Sequence, residues 1–185
     1  MATAPIDPAI VLFGDGRDWH GRSLLRAFKR RGIVPLARAA DVVVVSAGGH
    51  PKDVNFYQAQ KALDNAAHAV RDGGVVVLVA ACPEGLGNRT FEAWMTGMDS
   101  PAELLARIRR EFVLGGHKAA AVAAVLHRAQ IYLVSELPVD LVERCGMAPF
   151  PSPEEALAPA LTEVGAGARV LVLPQGGSVL PQVPD

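Results

Sequence analysis

The feature that most constrains the fold of this chain is residues 75–81, a run in which every side chain is apolar. A strand that faces water on one side alternates apolar and polar residues, whereas a strand buried on both faces does not. The four consecutive valines at 42–45 indicate a second buried strand. Since sheets that are buried on both faces are mostly parallel and covered by helices, the sequence predicts an α/β fold.

Predicted strands and helices alternate along the chain, as parallel strands joined by helices require. Strands are predicted at residues 9–13, 41–46, 75–81, 131–135 and 169–173. Helices are predicted at residues 23–31, 55–70, 90–95, 101–111, 118–129 and 140–145, and another opens at Ser152. Glycines within residues 71–74 are expected to cap the second long helix. The pattern predicts one domain, residues 1–185, folded as a three-layer α/β/α sandwich with a mostly parallel, Rossmann-like sheet.

Charge and composition exclude several classes of function. The formal net charge is −1 and aromatic residues make up 5% of the chain, so the charge pattern and the stacking side chains of a nucleic-acid-binding protein are missing. The longest apolar run, residues 75–82, is too short to span a membrane, which takes about 20 residues. No signal peptide is visible, and Cys82 and Cys145 lack metal-ligand spacing. A soluble cytoplasmic protein is expected.

The segment after the valine strand carries the strongest indication of a binding site. Ser46, Gly48, Gly49 and His50 follow that strand directly, and a helix comes next. Glycines at the carboxyl end of a strand let the backbone approach a ligand, because they have no Cβ. In open α/β sheets this end of the strand is where ligands bind.

Two polar residues on the following helix point to the chemistry of the ligand. Gln58 and Lys61 are three residues apart and therefore share one helix face. An amide and an ammonium group together suit a small anion with hydroxyl or carbonyl oxygens, such as a hydroxy acid. From the spacing alone, a tight turn beside a solvated lysine explains the pattern equally well.

Other motifs give weaker indications. Residues 14–19 imitate a dinucleotide-binding fingerprint, but Trp19 stands where a third glycine would allow close packing of helix on strand. The histidines form no i, i+4 pair and have no cysteine at ligand spacing, so no metal site is expected in this chain. His50 and His117 each follow a Gly-Gly pair, which makes them candidates for a binding site, with surface turns as the alternative.

Residues 42–63 resemble the C-terminal domain of the nickel-pincer nucleotide-dependent lactate racemase family. Later segments agree in the expected order: residues 73–75 before an apolar strand, then 81–87, 115–118, 131–135 and 173–179. The resemblance covers roughly residues 10–181.

The resemblance implies inversion at the hydroxyl-bearing carbon of a 2-hydroxy acid, by reversible hydride transfer to the nickel-pincer cofactor. By their place in the Tyr-Gln-x-x-Lys motif, Gln58 and Lys61 correspond to catalytic residues that face the substrate. The residue at the His117 position also lies near the reaction site in that family. The predicted substrate-binding set is Ser46, Gly48, Gly49, His50 and His117.

The motifs of the family's N-terminal half do not occur in these 185 residues. That half supplies the lysine attached to the nickel-pincer nucleotide, the histidine that binds nickel and two acid–base histidines. The resemblance thus implies the substrate-side half of a racemase or epimerase, which holds no cofactor by itself. Such a half is inactive without an N-terminal racemase domain or a separate chain that carries it. The competing interpretation is a stand-alone Rossmann-like module that binds a small anion or nucleotide at residues 46–52, near a helix N-terminus.

Overall fold

The computed structural model describes residues 33–183, so the predictions for residues 9–13, 14–19 and 23–31 lie outside the described part. The strands are β1 Ile33–Pro35, β2 Ala40–Ser46, β3 Val70–Val79, β4 Gln130–Val134, β5 Ala148–Phe150, β6 Val170–Leu173 and β7 Leu180–Gln182. The helices are α1 Phe56–Ala67, α2 Arg89–Thr96, α3 Pro101–Arg110, α4 Gly116–Leu126, α5 Val139–Arg144 and α6 Pro153–Val164, with a 3-10 turn at Gly176–Ser178. No helix within residues 33–183 has the length and apolar character needed to cross a membrane.

Five strands form one parallel sheet in the order β5-β4-β3-β2-β6. Strands β1 and β7 pair separately, also in parallel. From β2 the chain adds β3, β4 and β5 on one side, and then returns to place β6 on the other side of β2. In doubly wound sheets ligands bind at such a reversal of strand order, outside the carboxyl ends of the strands. Here the reversal lies between β2 and β6.

Helices cover both faces of the five-stranded sheet, which confirms the predicted three-layer class. On one face Val43 and Val76 belong to the larger core cluster, with residues of α1, α2 and α4. On the other face Val42 and Val75 pack in a second cluster with Ala156 and other residues of α6. All four valines are fully buried, which is why both runs lack the alternation of a half-exposed strand.

The predicted end of the second long helix is wrong. Helix α1 ends at Ala67, and residues 71–74 belong to β3 instead of forming a glycine cap. A Cβ at Gly74 would lie 2.6 Å from the carbonyl oxygen of Asp41 and 2.7 Å from Val70 Cγ2. Gly74 therefore allows close approach of the neighbouring backbone, and the Gly-Gly pair does not end a helix.

Both cysteines are free and buried. Burial raises the pKa of the Cys82 thiol to about 12, with a smaller contribution from the nearby carboxylates of Asp53 and Glu136. Burial likewise raises the pKa of Cys145 to about 11. Neither thiol forms a reactive thiolate at neutral pH, so both residues act as small core side chains.

Candidate functional site

An open cleft of about 340 Å³ lies at the carboxyl ends of β2 and β6. It is lined by Ala47, Pro51, Lys52, Gln58, Ala59, Lys61, Ala62 and Gly177. These residues belong to the loop after β2, to α1 and to the 3-10 turn after β6. The cleft therefore occupies the reversal of strand order, and its volume is at the lower end of the ~300–1,000 Å³ typical of small-molecule sites.

Gln58 and Lys61 lie side by side on the cleft side of α1. The Lys61 ammonium donates a hydrogen bond to Gln58 Oε1 at 2.7 Å. Gln58 is half-buried and Lys61 is exposed, so both are accessible to a ligand in the cleft. The structure thus places the two residues on a common face, while their contact with a substrate stays a prediction.

The backbone amides in the first turn of α1 already donate hydrogen bonds to other atoms of the protein. Asn55 Oδ1 accepts a hydrogen bond from the Gln58 amide at 3.1 Å. The amides of Phe56 and Tyr57 donate to the carbonyl oxygens of residues 85 and 86, at 3.0 and 3.2 Å. These are the donors through which a helix N-terminus binds an anion. Binding of an anion in this cleft therefore depends on the lysine side chains. This argues against a phosphate-binding site formed by the backbone amides of this turn.

Lys52 contributes a second ammonium group to the cleft, on a different wall. Its Nζ donates a hydrogen bond to Ser178 Oγ in the 3-10 turn at 3.1 Å. Among the residues that the structure describes, no Asp, Glu or His lines the cleft. Within residues 33–183 neither Lys52 nor Lys61 forms a salt bridge with a carboxylate. The cleft is therefore positively charged and suited to an anion.

Lys118, at the start of α4, lies close to Lys61 and was missed by sequence reasoning. Its Nζ donates to the carbonyl oxygen of Tyr57 at 3.0 Å and stands 4.2 Å from the centroid of the Tyr57 ring. Burial lowers the pKa of Lys118, and the neighbouring Lys61 ammonium lowers it further while Asp64 opposes the shift. Its place in the Gly-Gly-His-Lys motif, directly after His117, is the sequence signal that points to it.

The predicted residues at the end of β2 and in the turn after it do not line the cleft. Ser46 Oγ accepts a hydrogen bond from the Gly48 amide at 3.0 Å, which closes the turn. Gly48 and Gly49 have φ angles of 98° and 73°, in the region that favours glycine. His50 is exposed next to them. These residues shape the loop that carries Lys52, and their direct contact with a substrate stays a prediction.

His117 lies at the start of α4 and does not line the cleft. Its Nδ1 accepts a hydrogen bond from the Gly115 amide at 3.2 Å. The ring stacks against Phe112 with 5.9 Å between centroids, and Phe112 is 75% exposed. The structure therefore gives His117 a local role at the beginning of the helix, and leaves its predicted role in substrate binding untested.

Lys61→Ala is expected to change the free energy of unfolding by less than ~0.5 kcal/mol, because an exposed side chain makes few packing contacts. Leu63→Ala, at a fully buried position of the same helix, is the matched control and is expected to cost about 2–5 kcal/mol. Urea denaturation of both variants measures the difference. A loss of several kcal/mol in Lys61→Ala would assign the lysine a structural role and contradict its placement as a site residue.

Comparison with known proteins identifies relatives of known activity. The family model of the lactate racemase C-terminal domain matches residues 36–181. The lactate racemase of Thermoanaerobacterium thermosaccharolyticum is 31% identical over 149 residues, which cover 78% of this chain and 35% of the relative. The lactate racemase of Lactiplantibacillus plantarum is 29% identical over 145 residues, which cover 76% of this chain and 34% of the relative.

Solved structures give a consistent picture. The lactate racemase apoprotein from Thermoanaerobacterium thermosaccharolyticum matches with a TM-score of 0.76 at 28% identity, covering 93% of this chain and 42% of that one. A structural-genomics protein from Thermotoga maritima shares the fold, with a TM-score of 0.59 at 13% identity over 89% of this chain and 42% of that one. The chain spans about a third of the length of the two curated relatives.

Proposed function

We propose that this chain, which belongs to the lactate racemase C-terminal domain family, is the substrate-side part of a 2-hydroxy acid racemase or epimerase. The observation that carries the proposal is the positively charged cleft at the reversal of strand order, in which Gln58 and Lys61 touch. Ligands of doubly wound sheets bind at this position. The relatives named as lactate racemases are longer, so their complete activity draws on a further part that the matched region does not include.

The chemistry of the two side chains fits a 2-hydroxy acid. Lys61 can bind the carboxylate, or the oxygen of the carbonyl that forms when the substrate is oxidised. Gln58 Oε1 accepts from Lys61, so its NH₂ group is the part left to donate a hydrogen bond to a substrate oxygen. A donor aimed at an oxygen that gains negative charge contributes about 2–4 kcal/mol to the transition state. Together they fix the orientation of the substrate and stabilise charge on its oxygen.

The described residues of this chain do not fit a nickel centre. Within residues 33–183 no three His, Cys, Asp or Glu side chains are grouped so that they could hold a metal ion. Lysine ammonium and amide groups are poor ligands for nickel. We therefore assign the nickel-pincer nucleotide and the acid–base groups to the N-terminal half of the racemase. Binding and orientation of the substrate remain with this chain.

Titration of the ¹⁵N-labelled chain with D- and L-lactate tests the proposal. Resonances of residues 47–61 are expected to shift with a Kd of about 1 mM or weaker, because the proposal assigns part of the pocket to the N-terminal half. Lys61→Ala is expected to weaken these shifts. Arg109→Ala removes an exposed charge that does not line the cleft, and it is expected to leave the shifts unchanged. Shifts with ATP but not with lactate would favour a nucleotide-binding module and contradict the proposal.

A further inference from the structure

We infer that the cleft selects 2-hydroxy dicarboxylates over 2-hydroxy monocarboxylates, with Lys52 as the residue that binds the second carboxylate. The inference rests on the proposed function, because it names the substrate class of the same cleft. It follows from the presence of two ammonium groups, Lys52 and Lys61, on different walls of one small cavity.

Both ammonium groups are held in place by neutral oxygen atoms. Lys61 donates to Gln58 Oε1 at 2.7 Å, and Lys52 donates to Ser178 Oγ at 3.1 Å. An ammonium group has three N–H donors, so each lysine keeps donors for a ligand. No carboxylate in the described range, 33–183, neutralises either charge through a salt bridge. Each lysine can therefore bind one carboxylate of a ligand.

The backbone around Lys52 is shaped to carry its side chain along the cleft wall. A Cβ at Gly48 would lie 3.3 Å from Lys52 Cδ and 3.4 Å from its Nζ, and a Cβ at Gly177 would lie 4.0 Å from Cδ. The Lys52 amide donates to the Gly49 carbonyl oxygen at 2.8 Å, so the residue begins in a tight turn. The side chain passes Gly48 and Gly177, and its ammonium group reaches the Ser178 hydroxyl while it stays exposed to solvent.

The charge of the cleft matches a dianion better than a monoanion. A monocarboxylate offsets one ammonium group and leaves the other without a counter-charge. A dicarboxylate offsets both inside a cavity of about 340 Å³ whose remaining walls include Ala47, Ala59 and Ala62. A ligand with two negative groups can pair with both ammonium groups at once, through charge-assisted hydrogen bonds. A hydroxyl beside one carboxylate remains available to Gln58.

Three ligands separate this inference from the proposed function. Malate and 2-hydroxybutyrate share the 2-hydroxy acid group and chain length, and differ in whether the last group is a carboxylate or a methyl. Succinate keeps both carboxylates of malate and lacks the hydroxyl. In NMR titrations of the full chain, malate is expected to bind about 10- to 100-fold more tightly than 2-hydroxybutyrate, the range of one charge-assisted hydrogen bond.

Variants of Lys52 give the decisive comparison. Lys52→Met is expected to bring the malate to 2-hydroxybutyrate affinity ratio close to one, whereas Lys52→Arg keeps the charge and most of the ratio. Ser178→Ala removes the acceptor that holds the ammonium and is expected to lower the ratio in the same direction. Arg109→Met, at an exposed position outside the cleft, controls for total charge and is expected to preserve the ratio.

The possible results distinguish the role of Lys52 from the proposed function. A malate to 2-hydroxybutyrate affinity ratio near one in the wild type overturns the assignment of Lys52, and so does a ratio that Lys52→Met leaves unchanged. In either case the proposed function still stands if 2-hydroxybutyrate binds. Succinate that binds as tightly as malate contradicts the proposed function, because the hydroxyl is then not recognised. A ratio that falls with Lys52→Met, together with weak binding of succinate, supports both.

Discussion

Gly176→Ala is expected to lower the free energy of unfolding by about 1–3 kcal/mol, the usual cost of forcing an extra carbon into a packed site. Gly176 is buried, and a Cβ there would lie 2.2 Å from Val45 Cγ2 and 3.1 Å from Ala62 Cβ. Val45 is fully buried in β2, between two paired strands, so it has no room to move aside. The carbonyl oxygen of Gly176 also accepts a hydrogen bond from Asn65 Nδ2 at 2.7 Å, which a displaced turn would lose.

The adjacent glycine provides the matched control. A Cβ at Gly177 would meet Ala47 O at 3.6 Å and Lys52 Cδ at 4.0 Å, both ordinary contact distances. Gly177→Ala is therefore expected to stay within about 0.5 kcal/mol of the wild type. Urea denaturation followed by circular dichroism measures both variants. Equal losses at the two positions would show that the contact with Val45 does not limit this turn.

The central strands could be predicted because burial on both faces makes most of their side chains apolar. Predicted strands at 41–46 and 75–81 fall largely on β2 and β3, in which Val42, Val43 and Val45 of β2 and residues 75–77 of β3 are fully buried. The three-residue strands β1, β5 and β7 were not predicted, since so short a segment shows no periodicity. Their pairing also depends on distant partners, as β1 pairs with β7 at the other end of the described chain.

The site residues also differ in whether local or distant contacts determine their positions. Gln58 and Lys61 could be placed together from their spacing, because a helix fixes which residues share a face. The position of Lys52 depends on Ser178, 126 residues further along, and that of Lys118 on Tyr57, 61 residues earlier. Contacts created when the sheet assembles leave no local pattern, so the sequence does not show that the Lys52 ammonium lines the same cleft as Lys61.

The chain by itself is expected to show no racemisation of lactate or malate. Inversion requires that a bond to the hydroxyl-bearing carbon be broken on one face and formed again on the other. Lys52, Gln58 and Lys61 can bind and orient a hydroxy acid, but no His, Asp or Glu of the described range lines the cleft to move a proton. The part of the chain between residues 33 and 183 also contains no cluster of side chains fit for a metal ion. Under the proposed division of roles, the groups that carry out the bond-breaking step come from an N-terminal half.

Chiral chromatography of D- and L-lactate, together with elemental analysis of the untagged chain, measures this directly. If the proposed division of roles holds, addition of the N-terminal half of a related lactate racemase, prepared with its cofactor, is expected to produce turnover. In that mixture Lys61→Ala is expected to lower kcat/KM by about 10²–10³-fold, the usual loss for one donor to a developing oxyanion. Arg109→Ala, outside the cleft, serves as the control with unchanged turnover. Racemisation by the chain alone, or stoichiometric nickel retained by it, would overturn the division of roles, because the catalytic groups would then lie within these 185 residues.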